Sequence, residues 1–212
     1  GLGDVYKRQA LSWIGKEVDS SDIIHEILQD LIYYQKSGGG ITLSGGEPLQ
    51  QKDFALDILQ KCREHRIHTA VETNLLTDVN TLEAFLPWVD LWMCDFKMAD
   101  DTLHRKWTGH SNVPIIKNLE FLAKQAVPLT IRTPVIPNVN DSEEAIESIC
   151  RFIRQLPNQP AYELLGFHSL GFVKFENLGM KNPLSNSAFL KKGQLQKLKE
   201  ILIRYNLNNN KK

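Results

Sequence analysis

The chain of 212 residues is long enough for one domain, and a chain of this size buries roughly 70% of its unfolded surface. Lysine plus arginine and aspartate plus glutamate both number 25, so no net charge attracts DNA or an anionic membrane. No apolar run approaches the ~18 residues of a membrane span, and no signal-peptide pattern opens the chain. These features predict a cytoplasmic protein that binds neither nucleic acid nor membrane.

Helices and strands alternate along the chain. The first helix is predicted to begin at Ser20, Ser21 or Asp22, which are favourable N-cap residues. Its apolar stripe recurs at helical spacing, at Ile23, Ile24, Ile27, Leu28, Leu31 and Ile32. Apolar and β-branched runs predict five strands, over 41–43, 67–73, 91–96, 129–136 and 162–168. The intervening and final helices are predicted after Pro48, within TLEAFLPWV, around 116–123, after Asn140 and at about 194–205.

This alternation predicts parallel βα units in one α/β domain, with no linker to a second one. Eight such units would close a full barrel. Five units indicate either a partial barrel or an open doubly wound sheet. The helix after the fourth strand is predicted to be capped by Asn140 and Glu143, whose spacing resembles a capping box.

Each predicted strand ends in polar residues. The endings are Ser44-Gly45-Gly46-Glu47, Glu72-Thr73-Asn74, Asp95 with Lys97, Arg132-Thr133 and His168. The carboxyl ends of parallel strands meet at one edge of a sheet, so these endings predict a shared pocket. The alternative is that polar residues mark the places where strands leave the core.

Strand alternation assigns faces to the third strand. Met93 and Lys97 are predicted to share a face with Asp95, while Cys94 lies on the opposite face, towards the helices. Cys62 and Cys150 fall on the apolar stripes of helices. All three cysteines of the chain are therefore predicted to be buried, inert thiols, and their spacing provides no CxxC metal pair.

Several motifs in fixed order carry a resemblance: SGGGITLSGGEPLQQ, VETN, LWMCDFKMADDTLHRKWTG, LTIRTPVIPNVNDS and ELLGFHSLGFVKFENLG. Over residues 10 to 180 the chain resembles the activating enzymes of glycyl-radical enzymes, within the radical S-adenosyl-L-methionine (SAM) superfamily. The resemblance implies a partial (β/α)6-type barrel. It also implies an oxidoreductase that cleaves SAM with a reduced [4Fe–4S] cluster, and the resulting 5′-deoxyadenosyl radical takes a hydrogen atom from a glycine of the partner enzyme.

The resemblance also implies roles for particular residues. Gly45, Gly46 and Glu47 would hold the amino end of SAM. The strand end DFK, with Asp95, Phe96 and Lys97, would bind its ribose and methionine parts, and His168 would contact it from the last strand. Arg132 would line the side where the partner's peptide enters. A monovalent cation beside SAM would be held by residues that match Glu72, Thr73, Met93 and Asp95, although Glu72 stands where the family commonly has aspartate.

The cluster-binding CxxxCxxC loop of the family has no counterpart in this chain. Residues 1 to 9, GLGDVYKRQ, match nothing in the family and are interpreted as a non-native scar on a truncated gene fragment; the alternative is a natural N-terminal extension. Residues 10 to 207 are then a radical SAM barrel that lacks its first strand and cluster loop, followed by a flexible tail at 208–212. We expect this chain by itself to be inactive.

The parent protein is expected to use a glycyl-radical enzyme as protein substrate and flavodoxin or ferredoxin as electron donor. Further ferredoxin-like [4Fe–4S] clusters in the parent are an additional expectation. Two alternatives stay open at this stage. Glu72, Asp95 and His168 would be the ligands of Zn²⁺ or Mn²⁺ in a barrel hydrolase, or the chain is a non-catalytic relative that binds a protein partner.

Overall fold

A computed structural model describes residues 16–125, 127–169, 172–182, 184 and 190–207. The strands are β1 (Gly40–Leu43), β2 (His68–Thr73), β3 (Leu91–Asp95), β4 (Leu129–Val135) and β5 (Ala161–Gly166). The α-helices are α1 (Ser20–Gln29), α2 (Leu31–Ser37), α3 (Lys52–Glu64), α4 (Val79–Phe85), α5 (Asp101–Thr108), α6 (Val113–Lys124), α7 (Glu143–Gln155), α8 (Phe172–Asn177) and α9 (Gln194–Arg204). Short 3-10 helices cover Pro48–Gln51 and Leu86–Trp88. Within these described ranges, no helix is long and apolar enough to cross a membrane.

The five strands form one parallel sheet in the order β1-β2-β3-β4-β5. A doubly wound sheet reverses its strand order at a switch point, whereas this sheet adds each new strand beside the previous one. Right-handed crossovers in this order place the connecting helices on one side of the sheet. The order therefore decides between the two predicted architectures in favour of the partial barrel.

The two faces of the sheet differ in burial. In β3, Trp92 and Cys94 are fully buried, while Met93 and Asp95 on the other face are half-buried. The same alternation runs through β4. The buried face belongs to one hydrophobic cluster with apolar side chains of the helices, among them Leu59, Leu82, Phe85, Leu119, Ile146, Ile149 and Leu198. The face of Met93 and Asp95 is thus only partly covered, as in the interior of an open barrel.

The first predicted helix is divided into two. Its N-cap is Asp19, which accepts a hydrogen bond from the Ser21 amide, so the predicted caps at Ser20, Ser21 and Asp22 are one to three residues too late. The helix α1 ends at Gln29, with Asp30 as its C-cap, and Ile32 in α2 is 63% exposed. Ile32 therefore does not belong to the apolar stripe, because the break changes the face that the second segment presents to the core.

The capping prediction for α7 is also wrong. The N-cap is Ser142, whose hydroxyl accepts from the amide of Ala145 at 3.1 Å. The Asn140 side chain instead accepts from the Ile136 amide at 2.7 Å and donates to carbonyls of two other segments. An Asn-x-x-Glu spacing does not reveal these long-range partners. The strands β3, β4 and β5 end one or two residues before their predicted ends, so Phe96, Ile136 and His168 lie in the loops that follow.

Acid is expected to destabilise the fold below about pH 4. Hydrogen bonds from Ser111 and then Arg105 lower the pKa of Asp101 from 3.8 to about 2. Amide or ammonium donors also lower the pKa values of Asp19, Asp57 and Asp78. Because these pKa values are lower in the folded state, their stabilisation is complete above about pH 4 and is lost as pH falls towards 2.

Urea midpoints measured from pH 7 to pH 2 test this expectation. The midpoint should change little between pH 7 and pH 5 and then fall. The Asp101→Asn variant should show a smaller fall, since one of the four carboxylates no longer titrates. A midpoint that rises below pH 4 would contradict the assignment.

Candidate functional site

Polar side chains from the ends of β1, β2 and β3 surround one cavity. Its volume is about 290 Å³. The loop after β1 turns at Gly45, whose φ of 105° is strained for any residue with a side chain. The cavity is lined by Ser44, Gly45, Gly46, Glu47, Glu72, Thr73, Asn74, Asp95 and Lys97. The structure therefore brings most of the predicted strand endings together.

Glu47 holds the loop after β1 against the end of β2. Its Oε1 atom accepts from Thr73 Oγ1 at 2.6 Å and from the Leu49 amide at 3.3 Å, and its Oε2 atom accepts from the Asn74 amide at 2.9 Å. An ionised carboxylate has about four acceptor positions, so a further donor from a ligand still fits. Sequence reasoning missed this structural role, because only the fold brings Thr73 and Asn74 beside the loop.

Lys97 and Asp95 form an ion pair at the cavity wall. Lys97 Nζ lies 2.7 Å from Asp95 Oδ2, and the two side chains are 30% and 24% exposed. The pair lies on the less covered face, as the strand alternation predicted. The cavity thus presents an ammonium group beside carboxylates, which suits a zwitterionic ligand.

Arg132 lies next to the cavity, in the adjacent strand β4. Its Nη1 atom is 3.0 Å from Glu72 Oε1 and 3.9 Å from Met93 Sδ. Its Nε atom is buried and has no hydrogen-bond partner among the described residues. Glu163 Oε2 lies 3.9 Å from Nε, which is an ion-pair distance but too long for a hydrogen bond. Arg132 therefore joins side chains from β2, β3 and β5 across the less covered face.

The four residues predicted to hold a monovalent cation all interact with other residues. Glu72 lies beside the Arg132 guanidinium, and Met93 Sδ lies near the same group. Thr73 donates to Glu47, and Asp95 accepts from Lys97. Two cationic side chains, Lys97 and Arg132, neighbour these groups, and the cation site stays a prediction.

Two predicted ligand-binding residues lie apart from the cavity lining. The Phe96 side chain is fully buried on the helix side, with its ring centroid 5.1 Å from that of Phe152. His168 lies beyond the end of β5 and is exposed. A ligand in the cavity would have to extend towards β5 to contact His168. It could contact residue 96 only through the backbone, because the Phe96 side chain lies on the opposite face.

The arrangement does not favour the metal-dependent hydrolase. Within the described ranges, no three His, Cys, Asp or Glu residues are grouped so that they could hold a metal ion. The carboxylates of Glu72 and Asp95 face Arg132 and Lys97, and His168 does not line their cavity. His104 is 3% exposed, and its Nδ1 lies 2.7 Å from the carbonyl oxygen of His110, as expected for a satisfied core histidine.

The cysteines are core residues, as predicted. Cys62, Cys94 and Cys150 are all free and fully buried. Burial raises the pKa of Cys62 to about 11 and that of Cys150 to about 12, and it also raises the pKa of Cys94. A [4Fe–4S] cluster needs several thiolates close together, whereas these cysteines lie on three separate elements, α3, β3 and α7, and the described residues hold no group of three His, Cys, Asp or Glu that could bind a metal. The cysteines present therefore do not fit a [4Fe–4S] cluster.

Comparison with known proteins gives consistent results. The family model described as the radical SAM superfamily matches residues 12–152. The isethionate sulfite-lyase activating enzyme of Desulfovibrio desulfuricans is 39% identical over 183 residues, which are 85% of this chain and 58% of that protein. The pyruvate formate-lyase-activating enzyme of Clostridium pasteurianum is 34% identical over 188 residues, 89% of this chain and 79% of that protein.

A solved structure is similar as well. The crystal structure of a domain of pyruvate-formate lyase-activating enzyme from Bacteroides vulgatus superposes with a TM-score of 0.68 at 31% identity, over 80% of this chain and 96% of that one. The chain spans less than two thirds of the length of several of its relatives, for example 58% of the Desulfovibrio protein. The chain belongs to the radical SAM superfamily, in its group of glycyl-radical enzyme activating enzymes.

Proposed function

We propose that the chain forms the SAM-binding part of an activating enzyme that installs a glycyl radical on a partner enzyme. The observation that carries the proposal is the single cavity in which Gly45, Gly46 and Glu47 meet Asp95 and Lys97. Family membership supplies the identity of the ligand, because the superfamily is defined by SAM. The cavity supplies the chemistry that would recognise it.

The donors and acceptors of the cavity match the methionine end of SAM, so the residues present fit this group. The Lys97 ammonium would attract the carboxylate of the methionine part, and the carboxylates of Glu47 and Asp95 would attract its amino group or the ribose hydroxyls. The glycines let the ligand approach the backbone without a Cβ in the way. Bound SAM supplies the radical chemistry of the family, and the protein's part is to orient the reacting groups and to exclude water.

The cysteines of this chain would not supply the ligands of a cluster. The parent protein would therefore need ligands from outside these residues. No electron-transfer step is assigned to the residues described here. The need for cluster ligands from outside these residues supports the expectation that the chain by itself is inactive.

The proposed protein substrate is a glycyl-radical enzyme. Support comes from the relatives, which activate enzymes such as isethionate sulfite-lyase, (2S)-3-sulfopropanediol dehydratase and pyruvate formate-lyase. The partner's peptide would enter over the less covered face, where the Arg132 side chain is 19% exposed and its Nε has no hydrogen-bond partner among the described residues. Flavodoxin or ferredoxin is proposed as the electron donor by family resemblance.

Saturation-transfer NMR tests the proposal, because it detects weakly bound ligands. SAM at millimolar concentration should receive magnetisation from this chain, and ATP at the same concentration should receive much less. Added methionine should compete with SAM if the cavity recognises the methionine end. Equal transfer to SAM and ATP would contradict a SAM site.

A further inference from the structure

The loop that carries Lys97 is fixed by side chains that lie outside the cavity lining. The carbonyl oxygen of Phe96 accepts from Thr133 Oγ1 at 2.6 Å, and that of Lys97 accepts from Asn140 Nδ2 at 2.8 Å. Asn112 Nδ2 donates to the next two carbonyl oxygens, at 3.0 Å to Met98 and 2.9 Å to Ala99. Four successive carbonyls are thus bound by three side chains. We call Asn112, Thr133 and Asn140 the carbonyl latch.

All three residues of the carbonyl latch are buried, with exposures of 1% for Asn112, 0% for Thr133 and 2% for Asn140. Their hydrogen bonds are directional. The Tyr162 hydroxyl lies 3.1 Å from Thr133 Oγ1 and must donate to it, because the single Thr133 proton goes to the Phe96 carbonyl. A latch side chain that turned away would leave buried polar groups unpaired, so one arrangement is strongly preferred.

The carbonyl latch draws on three separate parts of the fold. Thr133 belongs to β4, Asn140 lies between β4 and α7, and Asn112 is the residue before α6. None of the three lines the cavity. Their shared target is the segment of four residues that begins immediately after Asp95. The backbone of this segment is therefore fixed by hydrogen bonds to side chains from three separate parts of the fold.

Lys97 depends on this restraint because a lysine side chain is flexible. Its ammonium group is a point charge on a four-carbon stem and loses rotamer entropy whenever it is confined. A fixed backbone at residue 97 restricts the positions that the Lys97 Nζ atom can occupy. The observed position, 2.7 Å from Asp95 Oδ2, is the one that faces the cavity.

We infer that Asn112, Thr133 and Asn140 are positioning residues, which hold the Lys97 ammonium group on Asp95 and at the ligand cavity. They act through the backbone and need no contact with the ligand. The importance of this placement for SAM rests on the proposed function. The placement itself is a property of the ligand-free chain and can be measured separately.

The test is competitive acetylation with trace acetic anhydride, followed by peptide mass spectrometry. Lys61 serves as the internal reference, because it pairs with Asp57 at 2.8 Å and its side chain is 30% exposed, like that of Lys97. Thr133→Val removes one latch hydroxyl. Thr69→Val is the matched control, since Thr69 is also 0% exposed and donates to the Trp88 carbonyl at 2.7 Å, at the opposite end of the sheet.

Thr133→Val is expected to raise the Lys97:Lys61 labelling ratio roughly threefold or more, by weakening the ion pair. Thr69→Val should leave the ratio unchanged, and Thr133→Ser, which keeps the hydroxyl, should restore it. An unchanged ratio in folded Thr133→Val, or an equal rise in Thr69→Val, overturns the inference.

If Thr133→Val does not fold, Asn140→Asp replaces it. This variant keeps the acceptor for the Ile136 amide and loses the donor to Lys97, so the same rise is expected.

The affinity for SAM is then measured on the same variants. A raised labelling ratio together with weaker SAM binding supports both the carbonyl latch and the SAM site. A raised ratio with unchanged SAM binding leaves the carbonyl latch in place and counts against the proposed function. The two proposals therefore fail separately.

Discussion

Replacing Lys97 with methionine is expected to weaken SAM binding about 10- to 100-fold. The substitution keeps most of the apolar stem and removes the ammonium group, whose charge-assisted hydrogen bond to a carboxylate contributes about 1.5–3 kcal/mol. It also leaves the Asp95 carboxylate without its partner at 2.7 Å, so that an unpaired negative charge faces the carboxylate of the ligand. Both effects act in the same direction. Dissociation constants from NMR titration measure the change.

Lys61→Met is the matched control for this experiment. Lys61 pairs with Asp57 at 2.8 Å and has the same side-chain exposure of 30%, but it lies on α3 and does not line the cavity. Its replacement should leave the affinity for SAM within about twofold, since distant sites act independently. An affinity for SAM that is unchanged in both variants would show that Lys97 does not contact SAM. Equal losses would point to a general effect of lysine replacement on the fold.

Secondary structure was predictable because it depends on local periodicity. The β-branched and apolar runs predicted all five strands, and each observed strand begins or ends within two residues of its prediction. The choice between a partial barrel and a doubly wound sheet was not predictable from the residues alone. Strand order decides it, and nothing in the alternation of Trp92, Met93 and Cys94 specifies which strand lies beside β3.

The position of the candidate site was predictable, but the hydrogen-bond partners of its residues were not. Polar residues at consecutive strand ends indicated a pocket, and the cavity does join Glu47 to Asp95 and Lys97. The partners of those residues depend on contacts between distant segments. Asn140 lies 43 positions from Lys97, and Glu47 lies 26 positions from Thr73. Spacing rules describe neighbours along the chain, so they assigned Asn140 to a helix cap, and the family resemblance assigned Glu47 to the ligand without indicating its contact with Thr73.

The proposed identity of the ligand came from family resemblance. The physical chemistry of the cavity specifies a polar ligand with both charges, and many metabolites meet that description. The sequence motifs that resemble the radical SAM family indicated SAM among these metabolites, and the family match over residues 12–152 agrees with this resemblance. The departure at Glu72 shows the limit of such transfer. Its carboxylate pairs with Arg132 here, a contact that the resemblance did not indicate, and its role beside a cation stays a prediction.

Glu47→Gln is expected to lower the free energy of unfolding by about 2–3 kcal/mol. The carboxylate accepts three hydrogen bonds, from Thr73, Leu49 and Asn74, and hydrogen bonds to charged groups contribute about 1.5–3 kcal/mol. A glutamine has one acceptor oxygen, so its NH2 group would face either the Asn74 amide or the Thr73 hydroxyl. One donor then stays unpaired in a partly buried site, and the loop after β1 loses part of its attachment to β2. Urea unfolding measures the loss.

Glu163→Gln is the control for the charge itself. Glu163 is 49% exposed and lies 3.9 Å from Arg132 Nε, so its replacement should lower the free energy of unfolding by less than about 0.5 kcal/mol.

A double-mutant cycle between Glu47→Gln and Thr73→Val should give a coupling free energy of about 1 kcal/mol, because the two side chains are in direct contact at 2.6 Å. A negligible coupling, with SAM binding lost in Glu47→Gln, would assign Glu47 to the ligand alone. A large coupling with weakened SAM binding would mean that Glu47 holds the cavity in shape and that the ligand depends on that shape.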